Sequence, residues 1–287
     1  MRRITVWGAA LAALLPMVAR GAELCDGPPG GLPIIAPLMH VAARIDQGGP
    51  LTIVAIGSSS TAGIGATSPD RSYPNRLEAE LQQRFPAIEI RVLNRGKGGE
   101  DAPEEVARLS ADVVALHPDL AIWQVGTNAL LRRDDISADG ELIRDGVALL
   151  KRHGIDVVLM DLQVAPRVLD RASYPLMERL IADTATEEQV GLFRRFALMR
   201  YWESSHASGA LPMVGSDGLH MTDAGYHCLA ASLAKALEAN WQAETKFARR
   251  AHAATDAIAG LRPPSAVPGH DALPAAPMRR KDATPAN

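Results

Sequence analysis

The chain has 287 residues, 47% of them hydrophobic and 22% charged, with a formal net charge of -3 at pH 7. That length and apolar content suffice for one domain with a substantial core plus tails. The mildly acidic balance gives no electrostatic reason to expect nucleic acid as a partner, and no internal repeat is apparent.

The N-terminus reads as an export signal. Arg2 and Arg3 precede an apolar run from Ile4 to Ala19, and the small residues around Ala19-Arg20-Gly21-Ala22 offer a cleavage site, which makes residues 1–21 a signal peptide. Its three arginines carry no balancing acid, so its removal would take the net charge from -3 to -6. The rival reading is an uncleaved membrane anchor, although the run is shorter than the ~20 residues that a span needs. Arg-Arg alone does not make a twin-arginine signal, and Ala22-Glu23-Leu24-Cys25 lacks a small residue directly before the cysteine, as lipidation would require. A soluble periplasmic or secreted protein with no stable membrane span is expected, beginning with an N-terminal strap over residues 22–48.

From there the pattern alternates strand and helix. Residues 51–56 are nearly continuous apolar sequence, as are 120–125 and 157–160, which suits central parallel strands covered on both faces. Residues 88–92 alternate apolar with charged and read as an edge strand, and 190–193 as the opposite edge. Between them, Pro74 opens a helix in which Leu77, Leu81 and Phe85 recur at four-residue steps before Pro86 stops it. Pro103 opens another, with Val106, Leu109 and Val113 before Pro118. Further helices are expected over 142–152 and 174–188, and Tyr226, Leu229, Ala230, Leu233 and Leu237 form the stripe of a last one. The alternation specifies a three-layer α/β/α sandwich of flavodoxin-like type, with a central parallel sheet of about five strands and ligands at the strands' carboxyl ends. The domain is assigned to 49–240. Residues 241–287, rich in Ala and Pro and without sustained periodicity, read as a disordered tail, with a binding module as the alternative.

In an oxidising compartment the two cysteines invite pairing. Cys25 lies in the strap and Cys228 off the apolar stripe of the last helix, where the strap could reach it. A Cys25 to Cys228 disulfide is therefore expected, against the alternative of two unrelated thiols.

The chemistry centres on Asp217-Gly218-Leu219-His220, downstream of a Gly57-Ser58-Ser59-Ser60 turn. An Asp-x-x-His spacing lets one loop bring a carboxylate to one imidazole nitrogen while the other faces a hydroxyl, which is the machinery of acyl transfer. Two more blocks fall at strand ends: Asn94-Arg95-Gly96-Lys97-Gly98-Gly99-Glu100 after the second predicted strand and Gly126-Thr127-Asn128 after the third. Taken singly each is a common turn. In this order the four blocks resemble the SGNH hydrolases, also called GDSL-type esterases and lipases, over about residues 51–237.

The resemblance implies Ser59 as nucleophile, His220 as general base and Asp217 as the acid that orients it. It also implies an oxyanion hole made by the backbone N-H groups of Ser59 and Gly99 and by the side-chain amide of Asn128. The family's first block usually reads Gly-Asp-Ser, whereas Ser58 stands here in the aspartate's place; Ser60 is the alternative nucleophile if the register slips by one. Gly96-Lys97-Gly98-Gly99 lacks the spacing of a phosphate-binding loop.

The other polar residues are less telling. Gln124 and Gln163 could bond the substrate or brace loops, and Arg167 could sense an acidic acyl or sugar group or simply be solvated. His117, His153, His206 and His227 have no partner spacing that suggests a metal site, so neither metal nor cofactor is expected. The function that follows is an exported serine esterase acting on short acyl esters, acetyl above all, of a small molecule or a glycan. An aromatic content of 4% and the lack of a long apolar lid argue against a long-chain lipase. An SGNH-type O-acyltransferase on an envelope glycan and a non-catalytic glycan-binding module remain as alternatives.

Overall fold

Successive residues of the first strand face opposite sides, and both sides are buried. In the computed structural model, which describes residues 25–133, 135–205 and 212–260, β1 (Leu51–Gly57) sends Leu51, Ile53 and Ala55 into one apolar cluster and Val54 and Ile56 into another. Strands β3 (Leu120–Gln124) and β4 (Asp156–Met160) divide the same way, Ile122, Val158 and Met160 against Trp123, Val157 and Leu159. Burial on both faces demands an apolar residue at every position, hence the continuous runs. The sheet is wholly parallel in the order β2-β1-β3-β4-β5, with β2 (Ile90–Gly96) and β5 (Gly191–Phe193) at its edges. Strand β2 starts later than its alternation predicts and runs on to Gly96, because Asn94, Arg95 and Gly96 still pair with Ala55, Ile56 and Gly57.

Two helical layers complete an α/β/α sandwich. α1 (Met39–Asp46), α3 (Tyr73–Arg84), α9 (Arg195–Ser205) and α10 (Asp223–Gly260) cover the first face, through Val41, Leu77, Leu81, Trp202, Leu229, Leu233 and Leu237 among others. α4 (Ala102–Asp112), α6 (Asp139–Arg152) and α8 (Tyr174–Glu187) cover the second, through Leu109, Ile143, Val147, Met177 and Ile181. Each such side chain contributes roughly 1.5–3 kcal/mol by leaving water. Short helices α2 (Ser59–Ala62), α5 (Thr127–Arg132) and α7 (Pro166–Leu169) follow β1, β3 and β4 directly. The chain divides after Ala248, and residues 249–260 of the second unit are helical. No helix among the described residues is long and apolar enough to cross a membrane.

Two features go beyond the sequence reading. The strap is partly helical, since α1 lies within it and plants Val41 in the core. The last helix does not stop at Asn240: Trp241 is 1% exposed and lies 5.5 Å from Phe85 ring to ring, while Asn240 Nδ2 donates to the carbonyls of Ile34 and Ala36 in the strap. The predicted signal peptide, residues 261–287 and His206 lie outside the described residues.

Cys25 and Cys228 are joined in a disulfide with a sequence separation of 203. Closing so long a loop restricts the unfolded chain and typically stabilises a fold by about 2–4 kcal/mol. Reduction is expected to lower the melting temperature by roughly 5–15 °C, with little change in any activity at room temperature. Calorimetry with and without reductant checks this, and an unchanged melting temperature would show that the bond contributes nothing.

α4 carries a buried carboxyl with a consequence for stability. Glu105 on α4 is 1% exposed, and burial pushes it up to about 8 despite a hydrogen bond from Trp123 Nε1 at 2.7 Å. The folded state thus holds this proton above the ordinary glutamic acid value of 4.5. The stability it contributes is fully present below that value and is lost as pH rises through about 8. Glu105→Gln should therefore gain on the parent by roughly 2–4 kcal/mol between pH 5 and pH 8. Urea unfolding of both proteins at the two pH values tests the point, and parallel shifts would refute it.

Candidate active site

The first turn is possible only with glycine. Gly57 ends β1 at φ +152, and a Cβ there would lie 2.6 Å from Thr61 Oγ1 and 2.7 Å from the Gln124 carbonyl. The chain can therefore pass straight from the strand into α2, which opens on Ser59. Gly96, at the end of β2, permits a second close approach: a Cβ there would fall 2.1 Å from the Ala62 nitrogen. This contact brings the Gly98-Gly99 turn beside the serine, and a Cβ on Gly98 would lie 4.0 Å from Ser59 Cβ.

The histidine arrives from the far end of the sequence. His220 Nε2 lies 2.9 Å from Ser59 Oγ, and its Nδ1 lies 2.5 Å from Asp217 Oδ2. Asp217 Oδ1 accepts from the backbone N-H groups of Leu219 and His220, both at 3.0 Å. Burial pushes this carboxyl up, but those donors and the imidazole outweigh it and hold it down to about 2. The ionised Asp217 accepts at Nδ1, which orients the ring and turns Nε2 toward the serine. Ser60, by contrast, is 1% exposed.

The loop that carries His220 is stapled to the segment after α2. Asp223 accepts from Thr67 N at 2.9 Å, Thr67 Oγ1 at 2.6 Å and Arg71 Nη1 at 2.9 Å, and Tyr226 donates its hydroxyl to the Ile64 carbonyl at 2.7 Å. On its other side, Arg167 N donates to the Gly218 carbonyl at 3.0 Å.

Gly99 and Asn128 meet around one turn. Asn128 Nδ2 donates to the Glu100 carbonyl at 2.7 Å, and Arg132 Nη2 donates to the Gly99 carbonyl. Gln124 and Gln163, each 1% exposed, act as braces. Gln124 Oε1 accepts from Ser58 N, Ser58 Oγ and Thr61 Oγ1 at 3.1 to 3.2 Å, so Ser58 is tied to β3. Gln163 Oε1 accepts from Thr127 Oγ1 at 2.9 Å and from the buried Arg195 Nη2 at 2.8 Å. Arg167 is exposed, its stem beside Gly218.

The sequence reading missed the charged groups around the turn, above all Arg108, Arg132, Arg133 and Asp101, and named Glu100 only as the end of its block. Arg133 Nη2 lies 3.0 Å from both Asp101 Oδ2 and Asp139 Oδ1. One local signal was there to use: in Asp101-x-x-Glu104 the glutamate accepts from Asp101 N at 3.0 Å and caps α4. Of the histidines, His117 and His153 line a cavity of about 330 Å³ with His40 at the strands' amino ends, away from Ser59, and His227 Nδ1 lies 3.4 Å from Arg76 Nη1. Among the described residues no group of three or more His, Cys, Asp or Glu is arranged to hold a metal ion.

A family model matches residues 24–243, which include every residue of this site. The chain belongs to the Non-GDSL lipase-like family. No curated protein matches it in sequence. Among solved structures, a two-domain esterase active on acetylated mannans, co-crystallised with mannopentaose, superposes with a TM-score of 0.62 at 21% identity, over 75% of this chain and 57% of that one. The family member described here thus spans little more than half of that enzyme. An acetylxylan esterase from Geobacillus stearothermophilus superposes with a TM-score of 0.55 at 20% identity, over 65% of this chain and 93% of that one. Two solved variants of the latter, one lacking a histidine and the other an aspartate three positions earlier, are catalytic mutants. Such identities establish a shared fold.

Proposed function

We propose that this protein is an exported serine esterase of SGNH type that removes short acyl groups, acetyl foremost, from oxygens of a carbohydrate. The observation that carries the reading is the placement of His220, its Nε2 at 2.9 Å from Ser59 Oγ and its Nδ1 on Asp217. That Asp-x-x-His spacing also matches the separation of the two catalytic positions in the acetylxylan esterase.

In this mechanism Ser59 Oγ attacks the ester carbonyl as His220 Nε2 takes its proton, and Asp217 stabilises the imidazolium that forms. The negative charge on the carbonyl oxygen meets the N-H groups of Ser59 and Gly99 and the Asn128 amide. Asn128 Nδ2 has two hydrogens. One goes to the Glu100 carbonyl, which fixes the plane of the amide and leaves the other for the oxyanion. Collapse returns the proton from His220 to the departing sugar oxygen, and water then releases the acid by the same steps in reverse. Acetylated mannan and xylan as substrates of the two solved relatives support the choice of substrate class. Arg167, exposed beside the His220 loop, would contact the alcohol side of the ester.

The test is a hydrolysis panel of 4-nitrophenyl acetate, butyrate and longer esters beside acetylated xylan and mannan, with Ser59→Ala as control. Release of acetate from the glycans with a steep decline along the acyl series is expected. Failure of the wild-type protein to hydrolyse any of them, together with no labelling by a fluorophosphonate probe, would overturn the assignment.

A further inference from the structure

The turn that bears Gly99 has little of its own to hold it. Lys97, Gly98 and Gly99 are exposed, and within the turn Glu100 N reaches the Lys97 carbonyl only at 3.4 Å. Lys97 N ties the start of the turn to the Gly57 carbonyl at 2.9 Å, so what is left to set from outside is the position of Gly99 and Glu100 beyond it.

Arg108 is placed to do this. Its side chain, 10% exposed, lies under the turn on the second turn of α4. Nη2 donates to the Gly57 carbonyl at 3.2 Å, so it grips the last peptide of β1 just before Ser58 and Ser59. Nη1 donates to the Arg95 carbonyl of β2 at 2.8 Å and to Asp112 Oδ2 at 2.9 Å. Nε donates to Glu100 Oε2 at 2.5 Å. One planar group thus touches the end of β1, the end of β2 and the residue that follows Gly99. Glu100 carries the link onward, since its carbonyl accepts from Asn128.

We propose that Arg108 is a positioning residue that couples the nucleophile turn to the oxyanion turn, with Glu100 as the arm through which it acts. The proposal rests on the roles given above to Ser59, Gly99 and Asn128. A guanidinium suits the task because its donors are fixed in one plane and can serve two carbonyls and two carboxylates together, which an ammonium on a flexible stem cannot. Catalytic geometry is sensitive to such support: a displacement of about 1 Å can cost ~100-fold in rate. The arrangement also explains how the first block works with Ser58 in place of an aspartate. Gln124 holds Ser58 from β3, and Arg108 holds the preceding peptide from α4.

The experiment compares Arg108→Lys, Glu100→Ala, Glu100→Gln and the Arg108→Lys/Glu100→Ala double variant in the full chain. It reads kcat and KM on 4-nitrophenyl acetate, melting temperature, and amide exchange over residues 96–101. Arg108→Lys and Glu100→Ala should each lower kcat by roughly 10- to 100-fold with KM nearly constant. The double variant should fall no further than the worse single one, because both act on one link. Glu100→Gln, which keeps an acceptor oxygen, should recover part of the loss, and exchange at 96–101 should quicken while β1 and β3 keep their protection.

Multiplied losses in the double variant, a parental kcat in Glu100→Ala, or unchanged exchange at 96–101 would each overturn the proposal. If Arg108→Lys does not fold, the two Glu100 variants decide. Were the wild-type protein inert toward every ester, the esterase assignment would fall, and the exchange measurement would still show whether Arg108 and Glu100 hold the turn.

Discussion

Ser59→Ala is expected to lower ester hydrolysis by about 10⁴-fold or more while leaving the melting temperature within a degree or two. In the proposed mechanism the hydroxyl is the nucleophile, and it bonds His220 Nε2 at 2.9 Å, a partly exposed ring, so removing it leaves no fully buried group without a bond. Ser60→Ala is the matched control. Ser60 is buried, and its loss should be felt in stability more than in turnover. Steady-state kinetics on 4-nitrophenyl acetate with both variants, backed by fluorophosphonate labelling, reads out the register of the turn. A silent Ser59→Ala beside a dead Ser60→Ala would move the nucleophile by one position.

The second large effect belongs to Asn128. Asn128→Ala should reduce kcat by roughly 100- to 1,000-fold and change KM much less, because in the proposed mechanism the donor meets charge that exists only in the transition state. The side chain is held by its bond to the Glu100 carbonyl, so its remaining hydrogen is oriented before substrate arrives and no reorganisation is needed during reaction. Equal changes in kcat and KM would instead mark Asn128 as a contact to bound substrate, and unchanged turnover would remove it from the site.

The sheet was legible because its central strands are buried on both faces, a demand that leaves an unbroken apolar signature at residues 51–56, 120–125 and 157–160. Within the candidate site, the contact of Asp217 with His220 was legible for another reason: an Asp-x-x-His loop is local, and its spacing survives in one dimension, whereas Ser59 was singled out by the likeness of its block to a family. What escaped notice was of a different kind. α1 buries only Val41 and Ala42, too few to show periodicity, and α9 was missed although Leu198, Met199 and Trp202 lie on one side of it. Arg108 is one of many arginines, and nothing near it reveals that the carbonyls of Gly57 and Arg95 converge on it. Gln124 and Gln163 looked equally suited to substrate and to bracing until their burial and partners were known. Polar side chains acquire roles from tertiary proximity, which composition and period do not encode.

The staple between the Thr67 and Arg71 side chains and Asp223 has a consequence in time. Ser59 and His220 are 161 residues apart, and Cys25 must wait for Cys228, so nearly the whole chain has to emerge before either pair can form. In the proposed mechanism, a polypeptide still being made carries Ser59 without the base that would deprotonate it. If the proposed roles of Ser59 and His220 hold, hydrolytic competence and covalent closure arise together late in synthesis, and a chain halted before His220 would be inert however well its first strands have formed.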